Sequence, residues 1–337
     1  MALLRQPKIA ARVGCAVLFV GCAAAAMLHN PVLLDSAVSL IYFLLLSASW
    51  NLMAGYAGQM SFAHMSFAVI GGYVTAFLAE RLAVSPILAL PAAGLVAALL
   101  GALIGLVTLG FRDIFLAIAT FAFAGAFQAW AVATTSITGG ENGMPAPPLF
   151  DMEDQTAACV RFGLGLVVVF YTLQWAILSS RWGVLMRAVR DREEVARGLG
   201  LRTVLIKVTV CSYVAFWAGM AGGYLGSYVG LVTPSMGLLS NMGLVLTMVV
   251  VGGMGRVVGP LLGTILFRTI DFYTRGYAGE YTMLVFAALM LVMMLVARDG
   301  LTGILDRLAA RVFGRRQRWH DAAGTSAPGV AEGITPP

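Results

Sequence analysis

Charge is what this chain lacks most. Only 11% of its 337 residues are Asp, Glu, Lys or Arg, while 60% are hydrophobic. Soluble proteins carry about 25% and roughly 45–50%. A water-facing surface needs about 25–35% charged residues, so the composition excludes a soluble domain and makes lipid the solvent for most of the surface. Cysteine is scarce as well: Cys15, Cys22 and Cys211 fall in apolar runs and Cys159 near one end of another, so there is no disulfide framework and no metal spacing. His29, His64 and His320 are scattered and form no H-x-x-H or H-E-x-x-H cluster, so no metal site is expected. A G-x-x-x-x-G-K-[ST] phosphate loop is missing, as is a G-x-S-x-G elbow, and carboxylates are too sparse in the apolar runs to form a catalytic pair. Catalytic residues are therefore expected to be none, and the chain is not read as an enzyme.

What is present is long neutral sequence. No Asp, Glu, Lys or Arg occurs in residues 13–34, 36–79, 82–111, 114–140, 162–180, 208–255 or 281–297. A helix crossing a bilayer needs about 20 mostly apolar residues, so the runs 36–79 and 208–255 each hold two crossings and the others one. Residues 257–275 supply another, giving an all-α polytopic membrane protein of about ten transmembrane helices. Their centres fall near residues 20, 43, 70, 98, 125, 170, 218, 245, 266 and 289. Pro91 and Pro260 interrupt the fourth and ninth, and the ninth also carries Arg268 and Asp271. Runs such as LIYFLLL and LMLVMMLV do not alternate as barrel strands must.

Lys and Arg in the short loops set the orientation. Arg5, Lys8 and Arg12 place the N-terminus in the cytoplasm, and ten crossings return the C-terminus there. Arg181–Lys207, with seven basic residues, then falls inside, and Ile137–Val160, with Glu141, Asp151, Glu153 and Asp154 and no Lys or Arg, falls outside. The net charge of +6 is topology and attraction to the lipid leaflet, not a nucleic-acid face. The domain reading is an N-terminal membrane segment (1–35), a transmembrane domain (36–300) containing the loop 181–207, and a basic, then disordered, cytoplasmic tail (301–337). The first segment also fits a cleaved signal, although its neutral run of 22 residues exceeds the usual 7–15-residue apolar region of one.

The loop SRWGVLMRAVRDREEVARGLGLRTVLIK predicts an amphipathic helix outside the bilayer. Val184, Leu185, Ala188, Val189, Val195, Ala196 and Leu199 recur at helical spacing, with Arg187, Arg190, Asp191, Glu194 and Arg197 on the other face. The span Arg187–Leu199 would be about 20 Å long, ending at glycines, and short enough to insert into a partner's groove. Periodicity alone favours a helix that only covers the bundle or lies on headgroups. The order Glu193, Ala196, Gly200 resembles the EAA-type coupling loop of ABC importer permeases, with Glu194 and Val195 standing where small residues are usual.

Two Gly-rich stretches extend the resemblance: WNLMAGYAGQMSFAHMSFAVIGGY (50–73) and VVVGGMGRVVGPLLGT (249–264). Each interrupts a pair of helices within or beside one neutral run. Small residues allow close helix contact, and broken helices are tolerated where backbone faces protein or water. With ITGGENGMP (137–145), these stretches look like the signature segments of branched-chain amino-acid ABC permeases of the LivM type, over roughly residues 36–300.

The resemblance implies a bacterial inner-membrane permease for import of branched-chain amino acids; urea, amides and other small organic solutes are the alternative cargo. It implies a second, LivH-type permease, two cytoplasmic ATPases carrying ATP and Mg, and a periplasmic substrate-binding protein. The chain itself would bind no cofactor. Arg187, Arg190, Glu193, Ala196 and Gly200 would engage the ATPase. Asn51, Gly55, Gly58, Gln59, Ser61 and His64 are candidates for the translocation pathway, although hydrogen bonding between helices would explain the polar ones equally. Gly139, Gly140, Asn142 and Gly143 are expected to turn at the outer mouth, and Gly252, Gly253, Gly255, Gly259 and Pro260 to pack helices. An ion-coupled carrier is the less favoured class, because His64 is the one ionisable group well inside a neutral run.

Overall fold

The computed structural model describes residues 31–108, 113–152, 154–274, 287–288, 291 and 300–304. The expected first membrane segment and the tail beyond residue 304 lie outside the described residues, as does most of the tenth segment. The other eight expected segments are all helices.

In chain order, α1 (Pro31–Asn51) continues into a widened π-helical turn (Leu52–Tyr56), and a short loop leads to α2 (His64–Arg81). Helices α3 (Pro86–Val107) and α4 (Asp113–Ala133) follow, then the short α5 (Thr135–Thr138) and α6 (Gln155–Ser179). The predicted extramembrane helix is two pieces, α7 (Arg181–Asp191) and α8 (Glu193–Gly198), before α9 (Thr203–Val229), α10 (Leu239–Gly252) and α11 (Gly259–Thr274). Among the described residues, five helices are long and apolar enough to cross a bilayer unaided: Val32–Tyr56, Pro86–Val107, Ile114–Ala133, Gln155–Ser179 and Thr203–Val229. At 14 residues, α10 reaches only about 21 Å against a hydrocarbon core of about 30 Å, and α11 is described over 16 residues. Their Gly-rich connection therefore lies within the protein, where neighbouring chain can satisfy its backbone.

Pro91 sits inside a continuous α3, in its second turn, where it forgoes one helical bond, and Pro260 occupies the first turn of α11, where its missing N–H costs nothing. Arg268 and Asp271 pair with each other on α11 at 2.7 Å, with the guanidinium over the Phe43 ring of α1. Mutual pairing is what makes two charges tolerable on a membrane helix.

The spine is α9, which packs along α3 and α2. Small residues set that distance: a Cβ on Gly71 of α2 would overlap the Gly219 backbone of α9, and one on Gly222 would overlap the Ala68 carbonyl. In lipid there is no hydrophobic gain from helix association, so such van der Waals contact is the main attraction. On its other side α9 meets α6 through Phe170 and Trp217, whose rings cross edge to face at 5.1 Å. By contrast α4 turns Ile114, Phe115, Ile118 and Phe121 outward.

Candidate functional site

The two ends of α9 lie about 40 Å apart, 27 residues at 1.5 Å each, and they separate two groups of loops. At its start gather α7, α8, the π-helical turn and the α10–α11 connection. At its finish, β2 (Leu231–Val232) pairs antiparallel with β1 (Met144–Pro145) from the α4–α6 loop. The alternation inferred from loop charge thus agrees with which loops share an end.

At the first, basic end, three segments converge on one guanidinium. Arg190, near the end of α7, donates from Nη1 to the Gly55 carbonyl at 2.8 Å, across 135 residues of sequence. The π-helical turn makes this possible: widening the helix leaves carbonyls without their usual partners and available to an outside donor. The chain then leaves the turn through Gly58, at φ +72, where a Cβ would come within 2.8 Å of the Arg190 side chain. Asp191 fixes the guanidinium from the other side, its Oδ1 accepting from Nε at 2.9 Å.

Asn51 completes the joint. Fully buried, it donates from Nδ2 to the Arg256 carbonyl at 2.9 Å and accepts the Gly255 N–H on Oδ1 at 2.8 Å. One side-chain amide thereby closes the end of α1 onto the α10–α11 connection. Gly255 holds φ +76 and lies against Gly55 so closely that a Cβ on Gly55 would stand 2.5 Å from the Gly255 nitrogen. Nearby, Gly252 and Gly259 touch backbone to backbone, with Gly253 and Pro260 in the same hairpin.

The candidates for a pathway are thus divided. Asn51, Gly55 and Gly58 belong to this joint. Ser61 and His64 form a separate buried set: the Ser61 carbonyl accepts from Trp50 Nε1 at 2.9 Å, and His64 Nε2 lies 3.0 Å from the Leu46 carbonyl and 3.1 Å from Ser49 Oγ. These contacts tie the start of α2 to α1, and both side chains face the subunit interior. Gln59 is also buried, but its Nε2 has no hydrogen-bond partner.

The extramembrane segment departs from the expected single helix over Arg187–Leu199. Arg192 takes extended geometry, φ −154 and ψ 91, and breaks it into α7 and α8. The break redistributes the apolar face. Met186, Val189 and Ala196 are buried against the bundle, whereas Val184, Val195 and Leu199 point outward at 61%, 53% and 77% exposure. Glu193 turns inward: Oε2 accepts from Lys207 Nζ at 2.6 Å and Oε1 from Arg197 Nη2 at 3.0 Å, clamping α8 to the start of α9. Partial burial alone would raise its carboxyl pKa, but Lys207 and Arg197 together outweigh that and hold it below the ordinary value. Arg187 is half-buried on α7. Gly200, at φ +80, has open space around it. Val184, Val195 and Leu199 belong to the apolar face expected from the spacing, and they are the part of it that stays exposed.

At the opposite end, Gly139, Gly140 and Gly143 hold φ +74, +63 and +77, and a Cβ on Gly143 would stand 2.5 Å from the Val232 carbonyl. With Asn142 they bring Met144 and Pro145 into register with Val232 and Leu231, and Ala146 N–H donates to the Gly230 carbonyl at 3.0 Å. Glu141, exposed in the same turn, is the one charged side chain in residues 139–146.

Apolar helices long enough to cross a bilayer, joined through buried glycine contacts, define a multi-pass membrane protein. Residues 32–294 match the model of the branched-chain amino acid transport system permease component, and the chain belongs to that family. It is 30% identical over 294 residues to the high-affinity branched-chain amino acid transport system permease protein LivM of Salmonella typhimurium, covering 79% of this chain and 69% of the relative. LivM of Escherichia coli matches equally, at 30% with the same coverage. LivH of Salmonella typhimurium is 24% identical over 296 residues, covering 82% of this chain and 94% of the relative. No solved structure matches. The chain is therefore a LivM-type permease subunit of an ABC transporter.

Proposed function

We propose that this subunit carries branched-chain amino acids inward across a bacterial inner membrane, driven by ATP hydrolysis on two separate cytoplasmic subunits that hold ATP and Mg. A LivH-type permease pairs with it to form the pathway, and a periplasmic binding protein delivers the substrate. The basic end faces the cytoplasm, with both termini on that side. In this reading α7 and α8 dock in the ATPase through the outward trio Val184, Val195 and Leu199. Exposed apolar residues on a segment whose other face is already buried suit a partner's groove.

The observation that carries the reading is the Arg190–Gly55 bond together with the Asn51 bridge to Gly255 and Arg256. A displacement of α7 is thereby delivered to α1, α10 and α11 at once. Glu193 acts indirectly, by keeping α8 on the bundle. The test is co-purification of the ATPase with a V195D/L199D variant in native membranes. The variant should insert normally and lose the ATPase. Transport that persists with a catalytically dead ATPase would overturn the importer reading.

A further inference from the structure

Helices α3 and α4 sort their residues in opposite ways. On α3 the small residues Gly94, Ala97, Gly101 and Gly105 are buried, and a Cβ on Gly101 would stand 2.6 Å from the Ala215 side chain of α9. Its long side chains Leu88, Leu95, Leu99 and Leu103 are exposed. That is the order a helix between protein and lipid should show: small residues let a neighbouring backbone approach, and long aliphatic ones meet acyl chains.

On α4 the order is reversed. The face turned to the bundle is bulky: Thr120, Phe123, Phe127 and Ala131 recur at helical spacing, Thr120 Oγ1 accepts the Phe62 N–H at 3.0 Å, and Phe123 lies 6.3 Å from the Phe67 ring of α2. Directly opposite, Ala122, Gly125, Ala126, Ala129 and Ala133 are all exposed. They form two columns of small residues four apart, 122–126 and 125–129–133, the spacing that lets two membrane helices touch along their backbones. Nothing lies within 4 Å of a Cβ built on Gly125, whereas Gly71, Gly101 and Gly222 each meet another helix. Gln128 flanks this face half-buried and makes no hydrogen bond among the described residues, and an amide left to lipid is costly. Buried residues make up 11% of the apolar stretch of α4, against 39% to 56% in the other four bilayer-crossing helices described.

We propose that the outward face of α4 packs against a membrane helix of the second permease subunit, with the two backbones closest at Gly125 and Ala129 and Gln128 hydrogen-bonded across the joint. Lipid is the wrong occupant, because α3 shows what a lipid-facing surface of this chain looks like and α4 presents its inverse. A polar amide and an unfilled small-residue column both call for another polypeptide helix in the bilayer, and the LivH-type permease proposed above is the partner that spans it. The proposal rests on that pairing and adds where the pair meets.

The test uses the chain co-expressed with its second permease, its ATPases and its binding protein in native membranes. G125L and A129L should fold and elute as monodisperse protein, because the chain itself leaves open space at Gly125. Both should retain at least about tenfold less second permease on co-purification, while L99A on α3 retains the wild-type amount. A photo-reactive p-benzoylphenylalanine in place of Ala126 leaves Gly125 intact and should cross-link to the second permease; in place of Leu99 it should not. Full retention of the second permease by G125L and A129L, or cross-links from the Leu99 position and none from Ala126, would overturn the placement while leaving the pairing intact. A cross-link from Ala126 to a second copy of this chain would overturn the choice of occupant. Absence of any second permease from the wild-type complex would overturn the pairing itself, and the proposal with it.

Discussion

The two ends of the molecule solve the same problem by different chemistry. Each joins segments far apart in sequence. At the acidic end the join is backbone on backbone, a two-residue β pair made possible by glycines at positive φ. At the basic end it is made by two side chains, Arg190 and Asn51, reaching backbone groups of other segments. A backbone clasp is fixed once its turn is formed. Asn51 is buried, but the Arg190 guanidinium is partly exposed, so water can compete for its contact with Gly55. Under the proposed coupling role, the Arg190 contact is the one expected to move.

Breaking what both ends share should have the largest effect. G222V drives a branched side chain into the Ala68 carbonyl at the α2–α9 contact, where neither backbone can give way. No monodisperse protein should be recovered in fluorescence-detected size exclusion. The next effect belongs to the acidic clasp. G143A places a Cβ against the Val232 carbonyl at a φ of +77, at a cost of about 1–3 kcal/mol. Thermal unfolding should fall by several degrees while ATPase co-purification is kept.

R190A should give a comparable stability loss of about 1.5–3 kcal/mol, as for a hydrogen bond to a charged group, but a different phenotype. ATP hydrolysis persists and substrate uptake is lost, and R190K restores part of it. Comparable uptake loss in G143A and R190A would erase the contrast between the ends. The smallest effect is acid sensitivity at Glu193. Its carboxyl pKa lies below the ordinary value of 4.5 in the folded protein, so its pairs with Lys207 and Arg197 contribute fully above that value and are lost as pH falls through the folded pKa. Wild type should therefore lose more unfolding temperature than E193Q on acidification below about pH 4.5.

Much of the scaffold was legible because charge is costly in lipid: gaps between charges located the helices, and eight of the ten expected segments are helical where the structure describes them. The α7–α8 break was not. Helical spacing of apolar residues runs on through Arg192, and one extended residue leaves no trace in such a pattern. Pro91 lies inside α3, and the helix runs on through it because one lost helical bond does not outweigh the packing of the rest of α3. Glycine clusters were visible, but the sequence could not show that Gly55 and Gly255 touch, since that contact is set by how α1 and α10 pack. Asn51 illustrates the limit most clearly. Its cost in lipid pointed to an interior role, while only tertiary structure showed an amide spanning two backbone groups.

The central claim is that Arg190 couples the basic loop to the membrane bundle. The direct measurement is leucine uptake and ATP hydrolysis, side by side, in proteoliposomes holding wild type or R190A with the same amount of bound ATPase. The account predicts hydrolysis near the wild-type rate with uptake reduced by at least about tenfold, the loss expected for an interaction of about 1.4 kcal/mol or more. Uptake per ATP hydrolysed that is the same in both proteins would contradict it.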